Sequence, residues 1–303
     1  MEQTKRHIPV LLQEVNEYLD IQPSDIVFDG TLGAGGHASS MIANLGSDGV
    51  FIGTDQDPSV FAETSARLHE LFPDKNIITV CANFRTINTI LAEKGIAHID
   101  KALLDLGVSS MQLDEPEYGM TFRAEAPLTM VMSKTITEQT LTAFDVVNDW
   151  AEETLADIIY AFGDERYARR IAKKIIEVRD EQPIRTTTEL AEVITSAVPH
   201  KYAHGPIHPA TRTFQAIRIV VNDEYEALKQ GLHATIGALA PGGRLAVISF
   251  HSGEDRIVKQ IFKEYIDQDI VAKLHKKPLV PSDDEIKQNR RSRSSKLRVI
   301  EKI

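Results

Sequence analysis

Asp29-Gly30-Thr31-Leu32-Gly33-Ala34-Gly35-Gly36-His37 lies between an apolar run, Ile26–Asp29 (IVFD), and an amphipathic stretch at 37–45 (HASSMIANL). A glycine-rich turn that closes a strand and opens a helix is the setting of a nucleotide-binding loop. Glycine takes backbone angles closed to other residues and lets the main chain approach a ligand, and a helix start offers unpaired N–H groups. Outward from this turn the alternation continues with Val50–Asp55 (VFIGTD), a helix over Pro58–Leu71, and apolar runs at 76–82 (NIITVCA) and 101–107 (KALLDLG). Strands alternating with helices predict an α/β fold with a parallel sheet reached by right-handed crossovers.

Asp55 ends the second strand at roughly the 20-residue spacing at which an acidic side chain meets ribose hydroxyls. As a plainer alternative, it caps the helix begun at Pro58. Read literally, Gly33-x-Gly35-x-x-Ala38 also admits a nicotinamide or flavin dinucleotide. Against that stand the acidic Asp29 before the turn, which suits the cationic amino and sulfonium groups of S-adenosylmethionine better than a pyrophosphate, and the absence of a second nucleotide-binding half. Asp105 and the Gly107 loop close the next strand, where an open α/β sheet lines its ligand crevice; Asp105 as a turn residue satisfied by backbone N–H groups is the alternative.

From about Glu115 to Pro209 the strand signal gives way to helical patterns at 152–162 (EETLADIIYAF), 164–178 (DERYARRIAKKIIEV) and 186–198 (TTTELAEVITSAV). In the second, Tyr167, Ile171 and Ile175 recur every four residues. One of Thr186, Thr187 and Thr188 is expected to cap the third before Glu189. Strand character returns at 244–251 (RLAVISFH), after the turn at 240–243 (APGG), and again at 296–303 (KLRVIEKI). A helix is expected over 211–240, broken or kinked near Gly231, and another over 254–266. The pattern divides into a first part of the sheet domain at 1–112, a helical insertion at 113–210 for substrate recognition, and the rest of the sheet domain at 211–303.

The 303 residues carry a formal net charge of −10, which argues against a protein that coats nucleic acid nonspecifically. Basic residues nevertheless gather at 166–179 and 287–302, enough for a local surface facing one structured RNA. No apolar run reaches the length of a membrane span, and the amino terminus has no secretory signal pattern, so a soluble, cytoplasmic protein is expected. Cys81, the lone cysteine, precludes an intrachain disulfide and reads as a buried packing residue.

Taken together, HIPVLL (7–12), DGTLGAGGHA (29–38), LLDLGVSSMQLD (103–114), HPATRTFQAIRIVVNDE (208–224), APGGRLAVISFHSGEDRIVK (240–259) and RSRSSKLR (291–298) resemble the bacterial ribosomal RNA small-subunit methyltransferase H, or MraW, family across nearly the whole chain. The resemblance implies a class I S-adenosylmethionine-dependent methyltransferase, a Rossmann-like sheet domain with an inserted all-helical domain. The implied activity is that of an rRNA (cytosine-N4-)-methyltransferase acting on the decoding region of small-subunit (16S) ribosomal RNA. It also implies cofactor contacts at Gly35, Gly36, His37, Asp55, Phe84, Asp105 and Gln112, with Phe84 lying against adenine. Two blocks depart from the family pattern. Where GPLDMRMD is usual, Ala126 to Ser133 carries Thr129, Val131 and Ser133 in place of an acid, an arginine and an acid, and in SFHSLEDR the leucine is Gly253.

The amino nitrogen of cytosine is a poor nucleophile, so positioning and a proton acceptor must do most of the work. Candidate catalytic residues are Asp105 and His251, the latter weighed equally as a hydrogen-bonded turn histidine. His200, His204 and His208 recur every four residues, but Gly205 and Pro206 interrupt any shared helix face, so no metal site is expected. Lys287 to Arg298 alone could be a solvated loop, and the resemblance implies an RNA contact there, whereas Arg166, Arg169, Arg170, Lys173 and Lys174 are read as a solvated helix face. Small-subunit ribosomal RNA or the small subunit itself is the expected partner, and a homodimer is compatible with the sequence. Two other functions stay open: a related RNA methyltransferase with a shifted target, and a noncatalytic RNA-binding or ribosome assembly factor that keeps the cofactor pocket.

Overall fold

The computed structural model describes residues 9–134 and 136–303. His7 and Ile8 of the HIPVLL block lie outside the described residues. Seven strands form one sheet: β1 (Ile26–Asp29), β2 (Val50–Asp55), β3 (Asn76–Cys81), β4 (Ile99–Asp105), β5 (Leu239–Ser249), β6 (Val271–Lys273) and β7 (Lys296–Lys302). Their order is β3-β2-β1-β4-β5-β7-β6. Strands β1 to β5 run parallel, while β7 pairs antiparallel with both β5 and β6. The order reverses beside β1, between β2 and β4, which is where an open α/β sheet opens a crevice beyond its carboxyl edge. Asp29, Asp55 and Asp105 are the last residues of β1, β2 and β4 and so share that edge.

Both faces of the sheet are covered, as a parallel sheet requires. Phe28, Ile52, Leu104 and Val247 pack into one buried cluster, and their strand neighbours Val27, Phe51, Leu103 and Ala246 into another. The covering helices of this unit are α1 (Leu12–Leu19), α2 (Gly36–Asn44), α3 (Pro58–Leu71) and α4 (Ile87–Lys94).

The chain divides into two compact units, 1–107 with 225–303, and 108–224. The second contains α5 (Ser110–Asp114), α6 (Ala143–Asp149), α7 (Glu152–Gly163), α8 (Ala168–Arg179), α9 (Thr187–Ala197), α10 (His200–Ala203) and α11 (Ala210–Val221). Of the three candidate threonines, Thr186 caps α9, accepting from Glu189 N–H in a reciprocal capping box. Ile171 and Ile175 of α8 are fully buried, and Tyr167 packs against the same core. The first unit resumes with α12 (Glu224–Ala238), α13 (Ser252–Asp267) and α14 (Asp283–Gln288). Among the described residues, no helix is long and apolar enough to cross a membrane.

Three expectations need correction. The helix expected over 211–240 is two helices, and the break lies at Asp223, whose φ of 52° is left-handed, rather than at Gly231. Because α11 buries Ala210, Phe214 and Ile217 in the helical core, the second unit runs past the expected boundary at 210 to Glu224. Cys81 is exposed, since it ends the edge strand β3.

Candidate functional site

The glycine turn is built by close approach. Gly35 caps α2 with φ 69°, and a Cβ there would stand 2.7 Å from Thr64 Cγ2. At Gly36 a Cβ would stand 2.4 Å from the ring of Pro9, so the HIPVLL block packs directly on the turn. Thr64 Oγ1 donates to Gly33 O at 2.7 Å, fixing α3 to the loop.

Three carboxylates surround this turn. Asp29 is buried; its Oδ1 accepts Thr31 N–H at 3.0 Å, and its Oδ2 has no hydrogen-bond partner among the described residues. Burial, reinforced by the charge of Asp55, pushes its pKa up to about 7. Asp55 Oδ2 accepts Gly33 N–H at 2.8 Å and Oδ1 accepts Asp57 N–H at 2.9 Å, with Gln56 N–H also engaged. Burial raises its pKa as well, and the backbone bonds oppose the rise. Asp55 does not cap α3: Asp57 does, accepting from Ser59 N–H. The sequence reading missed Asp57, although its place immediately before Pro58 is the capping signal.

Asp105 faces the turn from β4. Its N–H donates to Thr31 Oγ1 at 2.7 Å, tying the two strand ends together. Its side chain is 21% exposed, yet Oδ1 is buried and has no hydrogen-bond partner among the described residues, against the alternative of a turn residue satisfied by backbone N–H groups. Burial, then the charges of Asp29 and Glu254, push its pKa up to about 8. His37, buried on α2, holds its Nε2 3.8 Å from Asp105 Oδ2.

Phe84 follows β3 and packs its ring on Gly231 of α12, where a Cβ would stand 2.3 Å from the ring edge. This close packing, rather than a kink, is what requires glycine at 231.

His251 caps α13, its Nδ1 accepting Glu254 N–H at 3.4 Å, and its Nε2 lies 3.2 Å from Glu254 Oε1. Nδ1 thus serves the helix cap, whereas Nε2 is buried with no hydrogen-bond partner among the described residues. Glu254 Oε2 accepts Phe250 N–H at 2.8 Å, so this buried carboxylate, overlooked in the sequence, shapes the loop after β5. A Cβ on Gly253 would lie 1.8 Å from the Tyr225 hydroxyl. The departure from leucine at 253 thus makes room for Tyr225, whose ring stands 6.0 Å from that of His251.

Gln112 belongs to the second unit. There its side chain completes the cap of α5, accepting Ser109 N–H at 2.9 Å and donating to Met132 O at 3.2 Å. The altered 126–133 segment is held in the same unit by Asn222, which accepts Met132 N–H and donates to Met130 O, each at 2.7 Å. Thr129 donates its hydroxyl to Tyr118 O at 3.1 Å. Nothing in the sequence alone singled out Asn222.

Of the basic runs, Lys296 and Arg298 are committed to Asp255, at 3.0 and 2.8 Å, and Lys287 to Asp284. On the helical unit Arg166 lies over the rings of Tyr167 and Tyr202, 4.8 and 4.9 Å from their centroids, and Arg170 lies 5.8 Å from that of Tyr167, while Arg166, Arg169 and Arg170 are all exposed. His200 and His204 stack on each other, and His208 stacks on Phe122.

Two unsatisfied carboxylate oxygens at the mouth of a helix start select a cationic ligand with hydrogen-bond donors. The ammonium and sulfonium of S-adenosylmethionine meet that requirement, and a pyrophosphate does not. The sequence model of the MraW methylase family matches residues 4–303. A protein of Heliobacterium modesticaldum named ribosomal RNA small subunit methyltransferase H is 46% identical, with 98% of each chain covered. A Brevibacillus brevis protein of the same name is 41% identical at the same coverage. Among solved structures, an rRNA methylase from Streptococcus thermophilus aligns at 12% identity and a TM-score of 0.44, covering 96% of this chain and 93% of that one. With its strand order, its glycine turn and a match over almost its whole length, the chain belongs to the MraW methylase family.

Proposed function

We propose that this protein transfers a methyl group from S-adenosylmethionine to the N4 amino group of a cytidine in small-subunit ribosomal RNA, in the cytoplasm. The observation that carries the reading is the Asp105 carboxylate, partly open at the end of β4 with Oδ1 unsatisfied, beside the glycine turn. The named relatives support the RNA class of substrate.

S-adenosylmethionine, when bound, supplies an electrophilic methyl on a sulfonium. Gly35, Gly36 and His37 would hold its amino acid end at the start of α2, Asp55 its ribose, and Phe84 its adenine. Asp55 keeps acceptor capacity for a hydroxyl, because a carboxylate offers about four lone-pair sites and three backbone N–H groups use it here. Asp105 accepts an N–H of the cytosine amino group, which aligns the nitrogen lone pair for attack. Held there, the donor would supply the methyl group, and the ionised Asp105 carboxylate would take the proton that the methylated amine releases. Burial raises the pKa of Asp105 to about 8, so its ionised form, which the cationic donor favours, is a strong proton acceptor. His251 acts through Glu254 to set the loop after β5.

Mass spectrometry of ribosomal RNA from cells with and without the gene tests this. Loss of one N4-methylcytidine supports it; loss of another mark assigns a shifted target, which the 126–133 departure favours; no change leaves an assembly factor. Purified protein should methylate small ribosomal subunits, and transfer to free cytidine at a comparable rate would sink the reading of a large structured substrate.

A further inference from the structure

Several surface lysines are paired locally. Lys174, Lys229, Lys263 and Lys287 each pair with a carboxylate three or four residues away in sequence. Among the described residues, by contrast, no carboxylate pairs with Lys259, Lys273, Lys276 or Lys277, and all four line one cavity of about 250 Å³. Arg298, anchored by Asp255, adds a fifth cation to the wall. Among the described residues no acidic side chain lines the cavity, and buried Phe262 and Val299 form an apolar part of it. Unpaired cations gathered in one place on a chain of net charge −10 make a local positive surface that attracts an anionic ligand.

The wall is preorganised. Residues 274–279 connect β6 toward α14, and both ends are stitched to β7: Leu274 N–H donates to Val299 O at 3.3 Å, and Leu279 exchanges two backbone bonds with Leu297 at 3.0 and 2.9 Å. Between them, His275 Nε2 accepts Val299 N–H at 3.1 Å, and its Nδ1 lies 2.5 Å from Lys277 O. That pairing specifies the neutral Nδ1–H tautomer, so His275 serves as a pin rather than a ligand. The edge of Tyr18 closes on its ring at 5.3 Å. Lys276 and Lys277 are thus carried on a loop already fixed before anything binds.

The cavity also has a defined place relative to the site. Lys259 follows His251 by eight residues along α13, which puts it about 12 Å further down the helix axis. A strand with its target base at the carboxyl edge of the sheet has phosphates a few nucleotides away that can span this distance. The mixed lining suits a nucleotide, with sugar carbons on Phe262 and Val299 and phosphate oxygens among the lysines.

We propose that this cavity between α13, β6 and the 274–279 loop holds backbone phosphate of the RNA substrate a few nucleotides from the methylated base. The proposal rests on the reading of the chain as an RNA methylase. It is tested with the full-length protein, the triple variant Lys273→Ala, Lys276→Ala, Lys277→Ala and the matching arginine variant. These three side chains are exposed, and thermal melting checks that folding is intact.

The probe is a labelled transcript of the small-subunit decoding region, retained on filters across a salt series. The alanine variant should lose on the order of 10- to 100-fold in affinity, and its slope of log affinity against log salt should fall by about 2 to 3. The arginine variant should stay within about twofold of the wild type, because phosphate contact needs only the charge. S-adenosylmethionine affinity should be unchanged in both. Unchanged RNA affinity and slope in the alanine variant overturns the proposal. So does loss of inorganic tripolyphosphate binding with RNA retention intact, which makes the cavity a small-anion site. Lysine-dependent RNA retention without methyl transfer by the wild type supports the cavity and overturns only the proposed reaction.

Discussion

Asp29 and Asp105 are the residues whose chemistry is furthest from that of an exposed carboxylate. Burial raises them to about 7 and about 8, so near neutral pH both hold protons that an unfolded chain, titrating near 3.8, has already lost. The folded state binds more protons across that interval, and the contribution of these groups to stability therefore falls as pH rises from about 4 through 8. Asp29→Asn should raise the melting temperature of the cofactor-free protein at pH 8.5 by a few degrees, on the order of 1 to 3 kcal/mol, and much less at pH 5. A cationic ligand favours the ionised carboxylates, so S-adenosylmethionine should bind more tightly at pH 8 than at pH 6 and release protons at pH 7. Titration calorimetry in buffers of different ionisation enthalpy measures that release; proton uptake on binding contradicts the assignment. Asp55→Ala should weaken cofactor affinity by roughly 10- to 100-fold, the value of a charged hydrogen-bond acceptor. Unchanged affinity by calorimetry removes Asp55 from the ribose.

Gly231 shows how an element can mislead a sequence reading. Glycine in a helix interior normally costs about 1 kcal/mol relative to alanine, and for that reason 231 reads as a kink. Instead α12 runs straight through it, and the missing side chain admits the Phe84 ring from the segment after β3. Gly231→Ala should therefore destabilise the protein by about 1 to 3 kcal/mol through overpacking, the opposite of the helix-propensity sign, and weaken cofactor binding by displacing Phe84. A rise in melting temperature with unchanged binding would refute that account. The strands and the glycine turn were legible because periodicity and turn chemistry are local signals. Gly231, Asn222 and Glu254 were not, because each answers to a partner distant in sequence or to a loop geometry that no pattern encodes. The true break at Asp223 carries only a left-handed aspartate, a weaker local mark than glycine.

At the scale of the whole molecule, each buried cluster among the described residues lies within one unit. The sheet unit draws its clusters from residues 10–106 and 228–300, and the helical unit draws its own from 118–217. A unit with a private core of this size is expected to fold alone. The sequence reading ended the helical insertion at 210, whereas α11 contributes Ala210, Phe214 and Ile217 to its core, and Arg218 closes the end with a two-pronged pair to Glu224 at 2.8 and 2.9 Å. Two fragments separate the boundaries. Residues 108–224 should give a helical circular dichroism spectrum and a cooperative thermal transition. Residues 113–210 lack one wall of the core, including a buried phenylalanine whose removal costs about 3 to 5 kcal/mol, and should show little cooperative structure. If both fragments melt cooperatively at the same temperature, α11 contributes nothing to the helical core and the boundary belongs at 210. If neither does, the helical unit depends on the sheet domain to fold, and its private core does not define an independent folding unit.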